Sequence, residues 1–289
     1  MNYTKQKNKI TIKDAKNFNI KHILECGQVF RYKNEGDYYQ VISGDEIARI
    51  YNKPDSAEII CSNENYFENY FDLKTNYTHI KEELSNFSIL KNAIDYGYGI
   101  RILRQKKIEV IISFIISANN NIKRIQATID KLCIKFGQKV YNKQFGEYYA
   151  FTTLTELNKL TEQDFIEINA GYRAKQLVKT VQLLNNINLE SIDKLETNQA
   201  ITELTKLYGV GPKVADCILL FGFYRMDVFP VDTWIQKIYN NYFNKKNNFT
   251  ANAVLARKEL THIFTKLSGY AQQYLFYYER DTTILKNKK

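Results

Sequence analysis

The chain has 289 residues, and 41 Lys and Arg against 31 Asp and Glu give it a formal net charge of +10. This length allows one large or two modest domains, since folding domains usually run to roughly 100–200 residues, and it excludes a small disulfide-stapled domain. A basic surface fits a polyanionic partner but can also be merely solvated, so charge alone favours nucleic acid weakly.

The four cysteines, Cys26, Cys61, Cys133 and Cys217, lie far apart and form no CxxC pair. Local spacing therefore provides neither a zinc site nor an iron–sulfur ligand set, and reduced thiols in a cytoplasmic protein are expected. The most apolar stretch, 110–118, is about half the roughly 20 residues that a membrane-spanning helix needs. No signal peptide and no membrane association are predicted.

Residues 1–80 are predicted to form an antiparallel β-rich domain. Runs of β-branched and aromatic residues at 28–32, 38–42 and 58–61 are separated by turn signals at 34–37 and 44–45. From 81 to 289 apolar residues recur three and four apart, which predicts one or more helical domains. The predicted helices are 108–118, 122–136, 174–184, 201–207, 214–223, 233–239 and 270–278. The fold class is α+β and mostly α-helical, with a basic tail at 286–289 that is expected to fray.

The run Leu207-Tyr208-Gly209-Val210-Gly211-Pro212-Lys213-Val214-Ala215-Asp216 joins two predicted helices through a tight turn. Gly209 and Gly211 are expected to supply backbone freedom, and Pro212 suits the first position of the second helix. Such a turn presents unpaired backbone N–H groups at a helix N-terminus, which predicts a phosphate site. An ordinary helix corner is the simpler interpretation of the two glycines alone.

Lys213 lies in the first turn of the second helix of this hairpin. The helix dipole and partial burial are both expected to lower the pKa of its amine and so favour a nucleophilic role. The alternative is a lysine that contacts phosphate or pairs with Asp216, three residues on. Asp232 directly precedes the predicted helix 233–239, so it can cap that helix and can also stabilise a developing positive charge.

Together with Val228-Phe229-Pro230-Val231-Asp232, this hairpin resembles the helix-hairpin-helix and Gly/Pro-Asp loop of the DNA glycosylase superfamily. Several separate segments between residues 26 and 279 resemble motifs of the 8-oxoguanine DNA glycosylase/lyase family. They follow one another in the same order as in that family, which narrows the resemblance to it. The scattered cysteines argue against the iron–sulfur branches of the superfamily, and Lys213 argues against monofunctional alkylpurine glycosylases. The resemblance implies that Lys213 attacks C1′ of a flipped nucleotide, with Asp232 beside it, to form a Schiff base that permits β-elimination.

The resemblance also implies a pocket for the damaged base. In Cys26-Gly27-Gln28-Val29-Phe30-Arg31 the Gly27 carbonyl would accept the N7–H that 8-oxoguanine has and guanine lacks. Gln272 would bind the base edge, while Phe276 and Cys217 would pack on its two faces. Gln272 and Phe276 are four residues apart and so share a helix face. The structural alternatives are that Gly27 is only a turn glycine, that Phe276 is a core residue and that Cys217 is an inert buried thiol.

Two further segments resemble the parts of the family that read the opposite strand. The asparagine-rich run 117–125 implies that Asn119 and Arg124 contact the orphaned cytosine. In Gly171-Tyr172-Arg173-Ala174-Lys175, Tyr172 would wedge into the base stack and Arg173 would also contact that cytosine. The alternatives are that the asparagine-rich run only caps a helix and that Tyr172 is a half-buried packing residue. The chain departs from the family at Trp234, where studied eukaryotic members have a phosphate-contacting histidine, and at Glu279, where aspartate is usual.

The predicted function is excision of 8-oxoguanine opposite cytosine followed by nicking of the abasic site. No cofactor is expected for catalysis, but the family implies a structural monovalent cation on the carbonyls of Thr205, Leu207 and Val210. The expected partner is double-stranded DNA containing 8-oxoguanine, bound by a monomer in the cytoplasm or, in a prokaryote, at the nucleoid. A glycosylase for another damaged base and a non-catalytic damage-binding module of the same fold remain the alternatives.

Overall fold

The computed structural model describes residues 1–244 and 250–286, so residues 287–289 of the tail predicted to fray lie outside the described residues. An antiparallel sheet of six strands, in the order β1-β2-β6-β5-β4-β3, forms the N-terminal part. Its strands are β1 Tyr3–Gln6, β2 Lys9–Ile12, β3 Tyr32–Asn34, β4 Tyr39–Ser43, β5 Glu46–Asn52 and β6 Ala57–Cys61. Every second residue of β4 and β6 is buried, as expected for a sheet with one face on a core.

Helices make up most of the remaining chain. Those of the first half are α1 Ile20–Glu25, α2 Glu64–Tyr70, α3 Tyr77–Leu84, α4 Ser88–Tyr96, α5 Lys107–Ser117 and α6 Ile122–Phe136. A small hairpin of β7 Lys139–Asn142 and β8 Gly146–Tyr149 follows. The later helices are α7 Leu154–Leu157, α8 Glu162–Glu167, α9 Arg173–Leu184, α10 Leu189–Ile192, α11 Thr197–Leu204, α12 Pro212–Gly222, α13 Thr233–Ile238, α14 Ala253–Phe264 and α15 Ser268–Lys286. A π-helical turn, Tyr239–Phe243, continues α13, and a 3-10 turn, Thr265–Leu267, precedes α15.

The α+β class and the seven predicted helices are confirmed, because each predicted helix overlaps one of α5, α6, α9, α11, α12, α13 and α15. The predicted strand at 28–32 is wrong for 28–31, which run as irregular chain between α1 and β3. The reason is the side chain of Gln28, which is fully buried and bonds the carbonyls of Ile23 (2.9 Å) and Arg101 (2.8 Å) and the N–H of Leu103 (2.9 Å). Tertiary hydrogen bonds of the Gln28 side chain, rather than a strand ladder, fix the start of this segment, and only the Arg31 carbonyl at its end accepts a backbone N–H of β4, from Ile42 at 3.1 Å.

Two large apolar cores organise the molecule. One lies under the sheet, around β2, β4, β5 and β6, and the other holds most of the helices, with α5 and α12 at its centre. Phe114 of α5 stacks on Phe221 of α12, with ring centroids 5.4 Å apart. No described helix is both long and apolar enough to cross a membrane. The domain boundary near residue 80 stays a prediction.

Candidate active site

The residues proposed for catalysis and base binding converge on one small cavity of about 50 Å³. They come from four parts of the chain: the turn after α1, the start of α12, the cap of α13 and the middle of α15. The predicted residues that line the cavity are Gly27, Lys213, Cys217, Asp232, Gln272 and Phe276. The floor is the aromatic stack of Phe114 on Phe221. Lys213 and Asp232 therefore face a common cleft.

The hairpin between α11 and α12 presents Lys213 to this cavity. Gly209 has φ +80°, a left-handed backbone that favours glycine, and a Cβ there would lie 2.8 Å from Oε1 of Gln176. Gly211 caps α12 with φ −88°, so the prediction that it supplies backbone freedom is wrong. Gly211 is exposed, and its N–H donates to no described residue, so this N–H is open to a phosphate. Pro212 begins α12, as predicted.

The charge state of Lys213 differs from the prediction. The adjacent Cys217 thiol, the Asp232 carboxylate and, more weakly, Asp216 favour the ammonium and together outweigh burial, so the pKa of Lys213 lies above its ordinary value. The expectation of a lowered pKa is therefore wrong, because it counted the helix dipole and burial but not the neighbouring acidic groups. The free protein holds this group as an ammonium whose Nζ lies 5.9 Å from the centroid of the Phe114 ring.

The alternative partner of Lys213, Asp216, is occupied elsewhere. Asp216 is fully buried and pairs with Arg257 of α14, at 2.5 Å to Nε and 2.8 Å to Nη2. Burial raises the pKa of the Asp216 carboxyl, although the guanidinium opposes that shift. The alternative interpretation, in which Lys213 forms an ion pair with Asp216, is therefore wrong. The amine is left facing the cavity.

Asp232 performs the capping role expected from the sequence. Its carboxylate accepts the Ile235 N–H at 2.9 Å at the start of α13. Burial raises the pKa of this carboxyl, while the Ile235 N–H and Lys213 lower it. The cap fixes the position of the carboxylate at the cavity wall, so the structural and the electrostatic roles are compatible.

The wall that would hold the base edge contains an acceptor without a partner. Gln272 is 5% exposed, and its Oε1 is buried without a hydrogen-bond partner among the described residues. Buried polar atoms are almost always paired in native proteins, so this oxygen is suited to a donor supplied by a ligand. The Watson–Crick edge of a guanine-type base carries such N–H donors.

Phe276 and Gly27 close the opposite side of the cavity. Gly27 has φ +87°, and a Cβ added there would lie 3.0 Å from the Phe276 ring. The guanidinium of Arg280, one turn later on α15, lies 5.4 Å from the centroid of that ring and donates to the Glu25 carbonyl at 2.8 Å. Glycine at position 27 is therefore required both by the backbone and by the approach of Phe276.

Cys217 forms part of the cavity wall one helical turn after Lys213. It is a free thiol that is 3% exposed, and burial raises its pKa to about 11. The other three cysteines are also free and buried. Cys217 therefore offers an uncharged, polarizable surface at neutral pH.

The four residues predicted to read the opposite strand lie around one turn between α5 and α6. Tyr172 is 61% exposed, and its hydroxyl donates to the Ala118 carbonyl at 3.3 Å. Asn119 is exposed in a left-handed conformation with φ 49°. Arg124 is exposed in the first turn of α6 and lines a groove of about 360 Å³ with Gly171. Base contacts of these side chains stay predictions.

Arg173 is buried rather than presented to solvent. Its Nε donates to the Ala118 carbonyl at 2.9 Å, and Nη2 donates to the Asn119 carbonyl at 2.9 Å and to Ala118. In this state the guanidinium holds in place the turn between α5 and α6 that contains Asn119, called here the asparagine turn. A direct contact between Arg173 and the opposite cytosine stays a prediction, and it requires these bonds to open or to be shared.

Both departures from the family have defined positions. Trp234 is half-buried in the first turn of α13, next to the capping Asp232. Glu279 of α15 pairs with Lys237 of α13 at 3.3 Å. This pair joins the two helices that carry Asp232 and Phe276.

Sequence reasoning missed several residues of the site. Phe114, Phe221 and Gln273 line the cavity beside Pro230, and Arg257 neutralises the carboxylate behind Lys213. Gln273 is 1% exposed and donates to the Cys26 carbonyl. A polar residue in an apolar helical run was the available signal for Gln273. The two phenylalanines had none, because they resemble any core residue.

Comparison with known proteins defines the class first. A family model described as "HhH-GPD superfamily base excision DNA repair protein" matches residues 112–263, which include the hairpin, Lys213 and Asp232. A second model, "8-oxoguanine DNA glycosylase, N-terminal domain", matches residues 10–111. The chain belongs to the 8-oxoguanine DNA glycosylase family of helix-hairpin-helix base excision repair proteins.

Individual relatives agree with this assignment. An 8-oxoguanine glycosylase/lyase of Clostridium acetobutylicum, solved with double-stranded DNA containing cytosine opposite 8-oxoguanine, is 40% identical with a TM-score of 0.91, over 98% of this chain and 99% of that one. An N-glycosylase/DNA lyase of Saccharomyces cerevisiae is 30% identical, over 89% of this chain and 82% of its own length. The N-glycosylase/DNA lyase OGG1 of Arabidopsis thaliana is 38% identical over 50% of this chain, and that match spans 41% of the relative.

Proposed function

We propose that this protein is a bifunctional DNA glycosylase and lyase that excises 8-oxoguanine, preferentially opposite cytosine, and then nicks the strand at the abasic site. The single observation that carries the proposal is the common cavity. It gathers an amine, a carboxylate and an unpartnered base-edge acceptor, at Lys213, Asp232 and Gln272, from distant parts of the chain. The likeness to glycosylase/lyases over almost the whole chain supports the same activity.

Base recognition follows from the two polar groups of the cavity. The Gln272 Oε1 accepts from the N–H donors on the Watson–Crick edge of the base. The Gly27 carbonyl, to which no described residue donates, accepts the N7–H of 8-oxoguanine. Guanine places an acceptor there instead, and that mismatch disfavours guanine by about 1–3 kcal/mol.

Entry of the base requires Phe276 to move. A cavity of about 50 Å³ has room for a few water molecules and not for a purine. Phe276 rests against Gly27, so rotation of its ring opens the space between the ring and Cys217. The flipped base then stacks between these two side chains, and this contact offsets the few kcal/mol that unstacking costs.

The chemistry begins with loss of a proton from Lys213. The free amine forms a bond to C1′ as the C1′–N9 bond breaks, and the electron pair of that bond leaves with the base, which takes up a proton. Asp232 stabilises the positive charge that develops on the sugar. Ring opening gives a Schiff base on Lys213, and removal of a C2′ proton then expels the 3′ phosphate, which nicks the strand.

We also propose a structural monovalent cation on the carbonyls of Thr205, Leu207 and Val210. Thr205 caps the C-terminus of α11, and Leu207 and Val210 lie in the turn that follows this helix. The Leu207 carbonyl accepts the Val210 N–H at 3.1 Å and keeps a second lone pair. When bound, the ion would stiffen the turn that carries Gly209 and Gly211.

We propose further that the protein acts as a monomer on double-stranded DNA in the cytoplasm, at the nucleoid in a prokaryote. Four buried free thiols fit a reducing compartment. The exposed residues of the asparagine turn and the hairpin amides provide a DNA-binding face on a single chain.

Borohydride trapping tests the proposed nucleophile. The protein should become covalently attached to a duplex containing 8-oxoguanine opposite cytosine, because borohydride reduces the Schiff base. Lys213→Gln should still bind this duplex but neither excise the base nor trap. Lys206→Gln, which changes an exposed lysine of the same hairpin that pairs with Glu203, should trap normally.

Retained excision by Lys213→Gln would refute the nucleophile. Absence of trapping by the unchanged protein, with lesion binding intact, would favour the non-catalytic damage-binding module. A panel of duplexes with other lesions and other opposing bases separates the 8-oxoguanine enzyme from a glycosylase for a different base.

A further inference from the structure

Two lysines of α9 lie between the wedge and the hairpin. Tyr172 directly precedes α9, and Lys175 and Lys179 follow it at three and seven residues. Residues three and four apart share a helix face, and seven residues of helix extend over about 10 Å. Each strand of duplex DNA carries one charge per roughly 3.4 Å of helix axis. The spacing of these residues therefore matches a run of about three phosphates.

The side of α9 that carries Lys179 packs directly on the hairpin. The buried Thr180 hydroxyl donates to the Tyr208 carbonyl at 2.7 Å. Gln176 lies so close to Gly209 that a Cβ on that glycine would be 2.8 Å from its Oε1. The helix with the wedge and the turn with the phosphate-binding amides therefore form one continuous surface.

Tyr208 is an exposed aromatic residue on this surface, with 46% of its side chain accessible. The Lys179 ammonium lies over its ring, 4.6 Å from the centroid. A cation held over the face of a tyrosine ring is attracted by the negative charge density of that face. The ring thus restricts a long flexible side chain and keeps its charge beside the hairpin turn.

Neither lysine is neutralised by the protein. Within residues 1–244 and 250–286, Lys175 and Lys179 form no ion pair with a carboxylate, whereas Lys206 of the same hairpin pairs with Glu203 at 2.6 Å. An unpaired ammonium is free to displace a counterion from a phosphate, and the release of that counterion favours binding.

We propose that Lys175, Lys179 and Tyr208 form a phosphate track that guides the DNA backbone from the wedge at Tyr172 to the hairpin amides. The proposal rests on the proposed function, because it takes DNA as the partner. It adds two phosphate contacts at the lysines and gives Tyr208 the role of a positioning residue that holds Lys179.

The salt dependence of binding to an undamaged duplex tests the track. Each lost phosphate contact makes the negative slope of log K against log salt less steep by about 0.9. Lys175→Gln and Lys179→Gln should each reduce the steepness by this amount, so between 50 and 200 mM salt their affinity should fall by a factor about 3.5 times smaller than that of the unchanged protein. The control is Lys143→Gln, which removes an exposed lysine in the β7–β8 turn that pairs with no carboxylate of the described residues, and it should leave the slope unchanged.

Tyr208 variants test the positioning role. Tyr208→Phe keeps the ring and should bind DNA like the unchanged protein. Tyr208→Ala removes the platform and should weaken binding in the direction of Lys179→Gln. Added to Lys179→Gln, the alanine change should have no further effect on DNA binding.

The track is overturned if the Lys175 and Lys179 variants behave like Lys143→Gln, or if Tyr208→Ala binds like the unchanged protein. Since these measurements use undamaged DNA and no excision, they are independent of the trapping result. An unchanged slope beside normal trapping would reject the track alone. Altered slopes beside failed trapping would reject the proposed chemistry alone.

Discussion

The charge of Lys213 determines how the proposed reaction depends on pH. Its pKa lies above the ordinary value because Cys217 and Asp232 favour the ammonium. Only the deprotonated amine can attack a sugar carbon, so the active fraction is small at neutral pH and grows as the pH rises towards this pKa. The rate of excision should therefore increase about tenfold per pH unit over that interval.

The Cys217→Ala variant should shift this profile to lower pH. Cys217 makes the largest contribution that raises the pKa of Lys213. Its thiol has a pKa of about 11 and is uncharged at neutral pH, so there its sulfur favours the ammonium by accepting a hydrogen bond, and its charge adds to this only where the thiol ionises. Without the thiol, Lys213 loses its proton at lower pH, so excision below the pKa should become faster. Single-turnover rates with saturating protein, from neutral to alkaline pH, measure this effect separately from weaker base stacking.

Cys133→Ala provides the matched control, since Cys133 is also a buried free thiol but lies on α6 outside the cavity. Its profile should match that of the unchanged protein. A profile of Cys217→Ala that stayed in place or moved to higher pH would contradict the assigned cause of the Lys213 shift.

At the scale of elements, α12 and α14 are joined by an ion pair that is buried on the Asp216 side. Asp216 is fully buried on α12 directly behind Lys213, and the Arg257 side chain of α14 is 25% exposed. Arg257→Gln removes the guanidinium that pairs with this buried carboxylate, which should lower the free energy of unfolding by about 3 kcal/mol. Urea denaturation measures the loss, with Lys258→Gln on the exposed side of the same helix as the control.

The loss should depend on pH. Burial already raises the pKa of Asp216, and without the guanidinium it rises further above the value in the unfolded chain. The folded variant then binds a proton more tightly than the unfolded chain, so its deficit relative to the unchanged protein should shrink as the pH falls through that raised pKa. A deficit that stayed constant or grew at acidic pH would show that Arg257 acts through packing alone.

The helices were predictable because each has a strong internal signal. In α6 and α12 apolar residues recur at helical spacing, and Pro212 and Asp232 mark the starts of α12 and α13. The prediction of the strands was less complete. The alternation in β2 and the apolar run of β5 were available in the sequence but overlooked, while 28–31 looked like a strand and was fixed instead by Gln28.

The site was predictable where a short motif names a residue, as at Lys213 and Asp232. It was not predictable where the role depends on a contact that is distant in the chain. Arg257 lies 41 residues from Asp216, and no local pattern links them. The predicted direction of the Lys213 pKa shift was wrong for the same reason. That direction depends on Cys217 and Asp232, which the folded chain brings to the cavity.

At the scale of the whole molecule, the proposed base pocket spans the junction between the sheet-bearing part and the helices. Gly27 follows α1, whereas Gln272 and Phe276 lie on α15. Arg101 supports the first side: it is fully buried and donates to the carbonyls of Phe71 (2.9 Å) and Asn17 (3.1 Å), among others. The relative position of the two sides therefore determines whether a base can contact both.

Asp72 connects these two sides. Its carboxylate accepts from Arg104 at 2.9 Å, from the Tyr77 hydroxyl at 3.2 Å and from the Tyr224 hydroxyl. The Tyr224 hydroxyl in turn lies 3.1 Å from that of Tyr270 on α15. A network anchored in the loop after α2 thus reaches the helix that carries Gln272 and Phe276.

Asp72→Asn should therefore weaken lesion recognition more than general DNA binding. Loss of the charge that Arg104 and two tyrosines share should lower the free energy of unfolding by about 1.5–3 kcal/mol, yet the fold should persist. In the proposed mode of binding, only a flipped base needs Gly27 and α15 together, whereas undamaged DNA would contact the hairpin and the turn at Asn119. The dissociation constant for an 8-oxoguanine duplex should rise while that for undamaged DNA stays near its original value. If both constants rose by the same factor, the network would support the fold without setting the geometry of the pocket.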